Sequence, residues 1–371
     1  MSNPPKKIWL FKSYSDQNDI NAVKRVLERG TMWINGPEIE EFEERIAKHA
    51  GKKYGISFNS GTSGLHANLL AHEIRNGEVI VPSYTFVATV NAVVTVGAKP
   101  VFADIEDTSI GLDSKDVKRK ITKKTRAIMP IHFAGDVCQE IGELKRISDE
   151  NNIPLFEDAA HSIGAKLENK PAGSFGDSAI FSFCFNKILT TGEGGMVVTD
   201  SEELRNKLKL IRSHGRNSQG EYVTYGFNFR MSSMTAALGL SQVDKLDFII
   251  SRRREMASYL NRNLSSIKEI SLPIPPKNHY CVFQLYNILV KNKKAQNALK
   301  KFLEEKGIPT RITYNPVHLT PYYRDEWGWK EGDLPVTEAI SERVLTLPFH
   351  LDLDKADLDY IIKQVKNFFR E

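Results

Sequence analysis

The feature that most constrains this sequence is an alternation of short apolar runs with helical patterns between about residues 54 and 200. Short runs rich in Val, Ile and Phe are typical of strands that are buried on both faces. Strands that alternate with helices predict βαβ units. We therefore expect an α/β protein whose central, mainly parallel sheet lies between two layers of helices. The apolar runs are 54–58, 78–83, 99–105, 126–133, 153–159, 178–185 and 194–200.

The pattern changes after residue 200. A helix is predicted over residues 201–215 and a long helical pattern covers 231–264, followed by the proline-rich segment "ISLPIPPKN". Strand-like and helical patterns then resume up to a last helix near the end of the sequence. A chain of 371 residues is long enough for about two domains. We expect a large α/β domain over residues 1–245, including an N-terminal arm, and a smaller α+β domain over 246–371.

Composition excludes several classes of protein. The net charge of +5 is mild, and the basic clusters at 118–126 and 251–255 come without a nucleic-acid-binding motif, so no nucleic-acid partner is expected. No apolar run approaches the ~18 residues of a membrane span, and no signal peptide is recognisable. Three widely spaced cysteines form neither a disulfide framework nor a metal site. These features predict a cytoplasmic protein without a metal.

In such sheets ligands bind beyond the carboxyl ends of the strands. Gly61, Thr62 and Ser63 lie where the first apolar run gives way to a helix. The free N–H groups and the dipole of a helix N-terminus can bind a phosphate there. An ordinary strand–turn–helix connection with a Ser or Thr cap explains the same residues. The P-loop and dinucleotide-binding glycine patterns are both missing at this position.

Two further strand ends carry reactive side chains. Asp158 ends the run 153–159 and His161 follows it, so the carboxylate could bind a metal, act as an acid or base, pair with a cationic ring, or simply cap a helix. Lys187 follows the run 178–185, with Ser182 five residues before it. Most lysines at such positions extend into solvent. A partly desolvated amine, however, has the depressed pKa that a Schiff-base lysine needs, and the glycines that follow allow a tight turn.

A phosphate cradle, a sheet-end carboxylate and a sheet-end lysine are together what pyridoxal phosphate requires. The carboxylate would keep the pyridine nitrogen protonated, and each pK unit of that preference is worth about 1.36 kcal/mol. The sequence therefore predicts a pyridoxal phosphate site that combines Lys187, Asp158 and residues 61–63.

Longer motifs identify a family. The segments "EDAAHSIGA", "AGSFGDSAIFSFCFNKILTTGEGGMVVTD" and "GFNFRMSSMTAALGLSQVDKLD" resemble the successive signatures of the DegT/StrS-type nucleotide-sugar aminotransferases, which are fold-type I pyridoxal phosphate enzymes. Weaker similarity in "WINGPEIEEFEERIA", "NSGTSGLHANL", "VPSYTFVATVNAV" and "TYNPVHLTPYYR" extends the resemblance over nearly the whole chain.

The resemblance implies a role for each matching residue. Lys187 would bond to the cofactor aldehyde and later move the proton, Asp158 would bind the ring nitrogen, and His161 would bind the ring hydroxyl. The remaining implied roles are phosphate binding by Gly61, Thr62, Ser63 and Ser182, stacking on the ring by Phe86, and a contact from Asn228 to the phosphate of the neighbouring subunit's cofactor. That last contact implies a homodimer with a shared active site. Arg230 and His318 match segments near the site, where they would bind the donor carboxylate or the sugar, or be structural.

The family also implies a reaction. L-glutamate would donate its amino group to the cofactor, and the pyridoxamine phosphate form would pass it to a nucleotide-linked 4-keto-6-deoxyhexose, as in perosamine-synthase-like members. Sugar dehydratases of the family carry histidine in place of the lysine, so Lys187 favours transamination. A regulatory, DNA-binding protein on the same scaffold has only the net positive charge in its favour.

Overall fold

The computed structural model describes residues 7–370. Its strands, in chain order, are β1 (Tyr54–Phe58), β2 (Glu78–Pro82), β3 (Lys99–Ala103), β4 (Thr125–Ile128), β5 (Phe156–Asp158), β6 (Lys166–Leu167), β7 (Lys170–Pro171), β8 (Ser178–Ser182), β9 (Gly195–Thr199), β10 (His279–Tyr280), β11 (Tyr286–Leu289) and β12 (Val344–Leu347).

The central sheet has the order β3–β2–β4–β5–β8–β9–β1. Three strands, β3–β2–β4, and four strands, β5–β8–β9–β1, form ladders. The bridges Ile128↔Leu155 and Ile131↔Asp158 join the two ladders in parallel. Only β9 is antiparallel to its neighbours, β8 and β1. The expected α/β fold with a mainly parallel sheet is confirmed.

Helices cover this sheet and build the rest of the chain. They are α1 (Gln17–Arg29), α2 (Pro37–His49), α3 (Gly61–Ala71), α4 (Val87–Thr95), α5 (Ser114–Lys120), α6 (Ile141–Asn151), α7 (Glu202–Arg212), α8 (Ser233–Asp244), α9 (Leu246–Leu264), α10 (Lys293–Glu305), α11 (Pro321–Trp327), α12 (Pro335–Ser341) and α13 (Lys355–Phe368), with short 3-10 turns at Phe133–Gly135 and Val317–Leu319. Among the helices of residues 7–370, none is long and apolar enough to cross a membrane.

The sheet side chains alternate between two hydrophobic cores, as the period of a strand requires. On β2, Val79 and Val81 join the core beneath α3, α4 and α7, whereas Ile80 joins the core on the opposite face, beneath α2, α6 and α8. Both faces of the sheet are therefore buried, which explains why its strands read as nearly continuous apolar runs.

The long helical pattern over 231–264 is two helices rather than one. The break is at Lys245, whose ammonium group pairs with Asp16 and Asp19 at the start of α1. These ion pairs tie the junction to α1. The turn at Lys245 separates α9 from α8, and α9 then leaves the central sheet.

Helix α9 links two cores. Leu246, Ile249 and Ile250 pack into a core of the central sheet, whereas Leu260 and Leu264 pack into a third core with β11, β12, α10 and α13. We call residues 256–369, which build this third core, the C-terminal unit, and we call the residues before them the large α/β part. The expected domain boundary between residues 245 and 246 stays a prediction.

Candidate active site

A cavity of about 350 Å³ lies at the carboxyl edge of the central sheet. This size is within the range of small-molecule sites. The side of the cavity formed by the large α/β part includes seven residues that the sequence singled out, which are Gly61, Thr62, Phe86, Asp158, His161, Ser182 and Lys187. Residues separated by up to 126 positions are brought together because parallel strands end at the same edge of the sheet.

Lys187 lies on a turn rather than directly at the end of a strand. The apolar run predicted to reach residue 185 forms a strand only as far as Ser182. The chain then turns, and the N–H of Lys187 donates to the carbonyl of Cys184 at 2.9 Å. Burial is the main cause that lowers the pKa of Lys187, to about 8, and the positive charge of Arg311 adds to it while Asp158 opposes it. A large fraction of this amine is therefore neutral at mildly alkaline pH.

Asp158 is the last residue of β5 and is nearly fully buried. Its Oδ2 accepts a hydrogen bond from the hydroxyl of Thr89 at 2.7 Å, and its Oδ1 accepts one from the N–H of Ala160 at 3.1 Å. Burial raises the pKa of this carboxyl, although both hydrogen bonds and the charge of Lys187 act in the opposite direction. No helix follows Asp158 in the described chain before Glu202, so it does not cap one. A buried carboxylate of this kind is stabilised by a cationic ligand.

His161 is buried beside Asp158, and its protonation is set by its neighbours. Burial, Lys187 and Arg311 hold the pKa of the imidazole well below its usual range, so the ring is neutral. The N–H of Ala134 donates to its Nδ1 at 3.3 Å, which places the ring hydrogen on Nε2. Nε2 lies 3.3 Å from the hydroxyl of Tyr314. His161 can therefore donate a hydrogen bond from Nε2 to an oxygen atom of a ligand.

The phosphate cradle predicted at the start of α3 has the expected form. Ser60 caps α3 by accepting from the N–H of Ser63, which leaves the N–H groups of Gly61 and Thr62 without an acceptor inside the helix. A Cβ atom at Gly61 would lie 3.0 Å from the Cβ of Ser182, so a larger residue would crowd this side of the cavity. The first turn of α3 and the hydroxyl of Ser182 together can bind an anion.

Residues from the C-terminal unit and from the α4 segment complete the cavity, and sequence reasoning missed most of them. Arg311 and Tyr314 line it from the far end of the chain, and the ring of Tyr314 lies 6.1 Å from that of Phe86. Phe86 is 52 % exposed, so one face of its ring is free to stack on a ligand. Thr89 lies inside the segment "VPSYTFVATVNAV", which resembles the family, so the sequence could have identified it as a site residue. No sequence signal indicated Arg311.

Four of the predicted residues do not line this cavity. Ser63 bonds to the Ser60 hydroxyl at 2.9 Å, Asn228 is exposed, and Arg230 donates to the Ser213 hydroxyl at 3.1 Å. His318 is buried, with Nδ1 2.6 Å from the Ser83 hydroxyl and Nε2 3.2 Å from the Glu338 carboxylate. Both nitrogens of His318 are therefore engaged within the protein, and the substrate role that the sequence suggested for it gains no support.

Gln284, from the C-terminal unit, holds the backbone on both sides of Lys187. Its Oε1 accepts from the N–H of Ile188 at 2.9 Å, and its Nε2 donates to the carbonyl of Asn186 at 2.6 Å. The side chain is only 2 % exposed, so these bonds do not compete with water. Gln284, which lies 97 residues further along the chain, therefore fixes the position of Lys187. No sequence motif predicted this contact.

The pH dependence of Lys187 can be measured directly. We expect pyridoxal phosphate to attach to the cofactor-free protein at a rate that rises with pH and is half-maximal near pH 8, because only the neutral amine attacks an aldehyde and burial lowers its pKa. The rise of visible absorbance after mixing, between about pH 6 and about pH 10, gives the midpoint. A midpoint near that of an ordinary lysine, about 10.4, would contradict the assignment.

Replacement of Gln284 by leucine is expected to lower turnover about ten- to a hundredfold and to move the pH midpoint of Lys187 upward. The variant removes both bonds to the Lys187 backbone, so the amine becomes more mobile and better solvated. Gln296→Leu is a matched control, since Gln296 is equally buried and also bonds two backbone groups, the carbonyls of Ser341 and Val344. If the control moves the midpoint as much as Gln284→Leu does, the effect is general destabilisation and not positioning.

Pyridoxal phosphate fits the cavity on the evidence of its own residues. Burial raises the pKa of Asp158, so its ionised form is stabilised by a nearby cation, and a protonated pyridine nitrogen would supply one. The first turn of α3 with Ser182 suits the phosphate, the neutral His161 can donate to the ring oxygen, and the amine of Lys187 is available to the aldehyde. The site thus carries one partner for each polar group of this cofactor.

Comparisons with known proteins agree. The model of the DegT/DnrJ/EryC1/StrS aminotransferase family matches residues 13–366. The chain is 35 % identical to the GDP-perosamine synthase of Caulobacter vibrioides over 94 % of both chains. PseC of Helicobacter pylori, an aminotransferase of pseudoaminic acid biosynthesis, superposes with a TM-score of 0.93 at 29 % identity, over 98 % of this chain and 100 % of that one. Spr1654 of Streptococcus pneumoniae, a putative sugar aminotransferase, superposes with a TM-score of 0.93 at 26 % identity, over 98 % of this chain and 98–99 % of that one. Its structures include a PLP form and a PMP form.

The family match spans almost the whole chain, so the expected family and its cofactor are confirmed. Enzymes of this family use pyridoxal phosphate. This chain belongs to the DegT/DnrJ/EryC1/StrS aminotransferase family and is a pyridoxal phosphate-dependent sugar aminotransferase.

Proposed function

We propose that this enzyme transfers the amino group of L-glutamate to the 4-keto group of a nucleotide-linked 6-deoxyhexose. The observation that carries transamination is Lys187 in the cavity, in the position where dehydratases of the family have histidine. The choice of a perosamine-like sugar is supported by the 35 % identity with GDP-perosamine synthase over most of both chains.

The residues of the cavity divide the work of this reaction. Asp158 would hold the ring nitrogen of the cofactor and His161 its ring oxygen. Gly61, Thr62 and Ser182 would hold the phosphate, and Phe86 would pack against the ring. When bound, pyridoxal phosphate supplies the electron sink that makes exchange of an amino group possible. Lys187 would hold the aldehyde group of the cofactor in the resting enzyme.

Lys187 is also the proton carrier. Its Nζ, with a pKa of about 8, would become free when the donor amine replaces it on the aldehyde. It would then take the proton from the substrate carbon that bears the nitrogen and return it to the cofactor carbon on the other side of that nitrogen. A base with a pKa near the working pH is best suited to this task because both of its protonation states are populated. The bonds from Gln284 keep the amine close to that carbon while it moves the proton.

Arg311 supports an amino acid as donor. Its guanidinium group lines the cavity, and no ion pair to it is found among residues 7–370. A carboxylate is the natural partner of such a group, because the fork of a guanidinium donates two parallel hydrogen bonds to it. We assign the donor carboxylate to Arg311, in place of Arg230 and His318.

A homodimer with a shared active site is supported by exposed residues. Asn228 is exposed and outside the cavity of its own chain, as a residue that serves the neighbouring subunit must be. Apolar side chains of Met32, Trp33 and Ile34 are also about half exposed, which is typical of an interface.

The three cysteines are free thiols, which supports a reducing compartment such as the cytoplasm.

The acceptor can be identified by a single-turnover experiment. The enzyme is loaded with pyridoxamine phosphate and mixed with nucleotide-linked keto-sugars that differ in nucleotide, in the position of the keto group and in stereochemistry. We expect a 4-keto-6-deoxyhexose to convert the spectrum to that of pyridoxal phosphate and to yield the amino sugar by mass spectrometry. Conversion by 3-keto-sugars only would refute the proposed position, and loss of a hydroxyl group without amination would indicate the dehydratase.

A further inference from the structure

A second cavity, also of about 350 Å³, lies between the large α/β part and the C-terminal unit. Among the described residues, none lines both this cavity and the cofactor cavity. One side is formed by the loops 107–110 and 133–136, which follow β3 and β4. The other side is formed by residues 271–275, 281–289 and 340–344 of the C-terminal unit. We call it the interdomain cavity.

Most of its wall is apolar. Buried side chains of Phe133, Phe283, Leu285, Ile340 and Val344 line it, and Leu272 and Ile274 add partly exposed apolar surface. Removal of apolar surface from water on such walls is favourable in proportion to the area buried. The cavity therefore suits a ligand with an aliphatic or aromatic body.

Two unsatisfied donors lie in this apolar wall. Arg343 donates from Nε to the carbonyl of Val290 at 3.0 Å, and within residues 7–370 its guanidinium group has no ion-pair partner. Asn287 is 8 % exposed, and its Oδ1 accepts from the Thr346 hydroxyl at 2.8 Å while its Nδ2 has no acceptor. A buried donor without an acceptor costs free energy, so the Nδ2 of Asn287 favours a ligand with acceptor oxygens. Arg343 is half-buried, and its positive charge favours the same kind of ligand.

The acidic residues of the cavity do not cancel this preference. The Oδ1 of Asp136 lies 2.8 Å from the Nδ1 of His279 and accepts from the N–H of Val137 at 2.9 Å, so this oxygen is already hydrogen-bonded within the protein. Asp107 is exposed to solvent, where its charge is screened. Among the described residues that line the cavity, Arg343 is the cationic side chain.

We propose that the interdomain cavity binds a small monocarboxylate with an apolar body. The carboxylate takes the guanidinium group of Arg343 and the amide of Asn287, and the body packs between Phe133 and Phe283. This site is separate from the transfer of the amino group and does not depend on which sugar is used. The same turn that lines it, at Phe133 and Ala134, donates the hydrogen bond to His161, so an occupant contacts a segment that also borders the cofactor cavity.

Three probes of one shape test the proposal on the pyridoxal phosphate-loaded enzyme. 4-Phenylbutanoate carries the carboxylate, 4-phenylbutanamide is its neutral counterpart, and 4-phenylbutylamine reverses the charge. By calorimetry we expect the carboxylate to bind with a Kd of about 1 mM or below, the amide more weakly and the amine most weakly. Tighter binding of the amine than of the carboxylate would overturn the proposal, because the acids would then dominate the cavity.

Variants locate the site. Arg343→Gln should weaken binding of the carboxylate about tenfold and leave the amide unchanged, whereas Arg324→Gln, an exposed arginine outside both cavities, should change neither. Leu272→Trp should fill the cavity and weaken binding of both probes, and thermal melting confirms that each variant is folded. Unchanged affinity in Arg343→Gln, or displacement of the probe by a nucleotide sugar, would contradict a separate carboxylate site.

Discussion

Replacement of Lys187 by alanine is expected to abolish turnover, with a loss of about four orders of magnitude or more. The variant removes both the group that binds the cofactor aldehyde and the amine that moves the proton, and positioned proton transfer alone contributes about 10²–10⁴-fold. The remaining contacts, from Asp158, His161 and the start of α3, should still bind pyridoxal phosphate without a covalent bond.

The measurement has two parts. Turnover is followed by formation of the amino sugar, and covalent attachment by borohydride treatment and peptide mass spectrometry, which should locate the cofactor on Lys187 in the wild type only. Lys294→Ala is a suitable control, because Lys294 is exposed and far from the cavity lining. Near-normal turnover of Lys187→Ala would refute the assignment of this residue.

Replacement of Asp158 by asparagine is expected to lower turnover by about two to four orders of magnitude. In the proposed role the carboxylate would keep the ring nitrogen of the cofactor protonated, and each pK unit lost by that nitrogen corresponds to about 1.36 kcal/mol, or tenfold. Asparagine keeps the shape and can still accept from Thr89, so the loss reports the charge and not the packing. Asp149→Asn, an exposed acid on α6, serves as the control.

The same variant has an opposite effect on the stability of the cofactor-free protein. Burial raises the pKa of Asp158 in the folded state above that in the unfolded chain, so ionised Asp158 destabilises the fold at neutral pH. This cost disappears as the pH falls through the raised pKa. We therefore expect Asp158→Asn without cofactor to melt at the same or a higher temperature than the wild type at neutral pH. A clear drop in melting temperature would show that Asp158 is held mainly for structure.

Much of the site follows from local patterns. Asp158 and Lys187 could be predicted because Asp158 ends one strand and Lys187 lies on the turn after a parallel neighbour, and parallel strands end at one edge of the sheet. The start of α3 could be predicted because a strand–turn–helix connection has its own residue signature. The predicted end of the strand before Lys187 was less accurate. The apolar run continues to residue 185, but the strand ends at Ser182. Phe183 is apolar because it is buried in a core, although it lies outside the strand.

Other residues could not be predicted from any local pattern. Gln284 contacts the turn of Lys187 across 97 residues, and Arg311 enters the cavity from the C-terminal unit. Their identities carry no periodicity that indicates a partner so distant. His318 shows the converse, because it lies in a segment that resembles the family's site but is buried against Ser83 and Glu338.

The sequence by itself determined the α/β class, the family and the cofactor, and it predicted the residues that would bind that cofactor, because each rests on strand ends, helix starts and motifs along the chain. Only the tertiary structure decided which residue holds Lys187 in place, which arginine faces the cofactor cavity, and that a second cavity exists between the two parts of the molecule. Those features arise where the C-terminal unit packs on the central sheet, and the contacts of that packing join residues whose separation along the chain has no regular pattern.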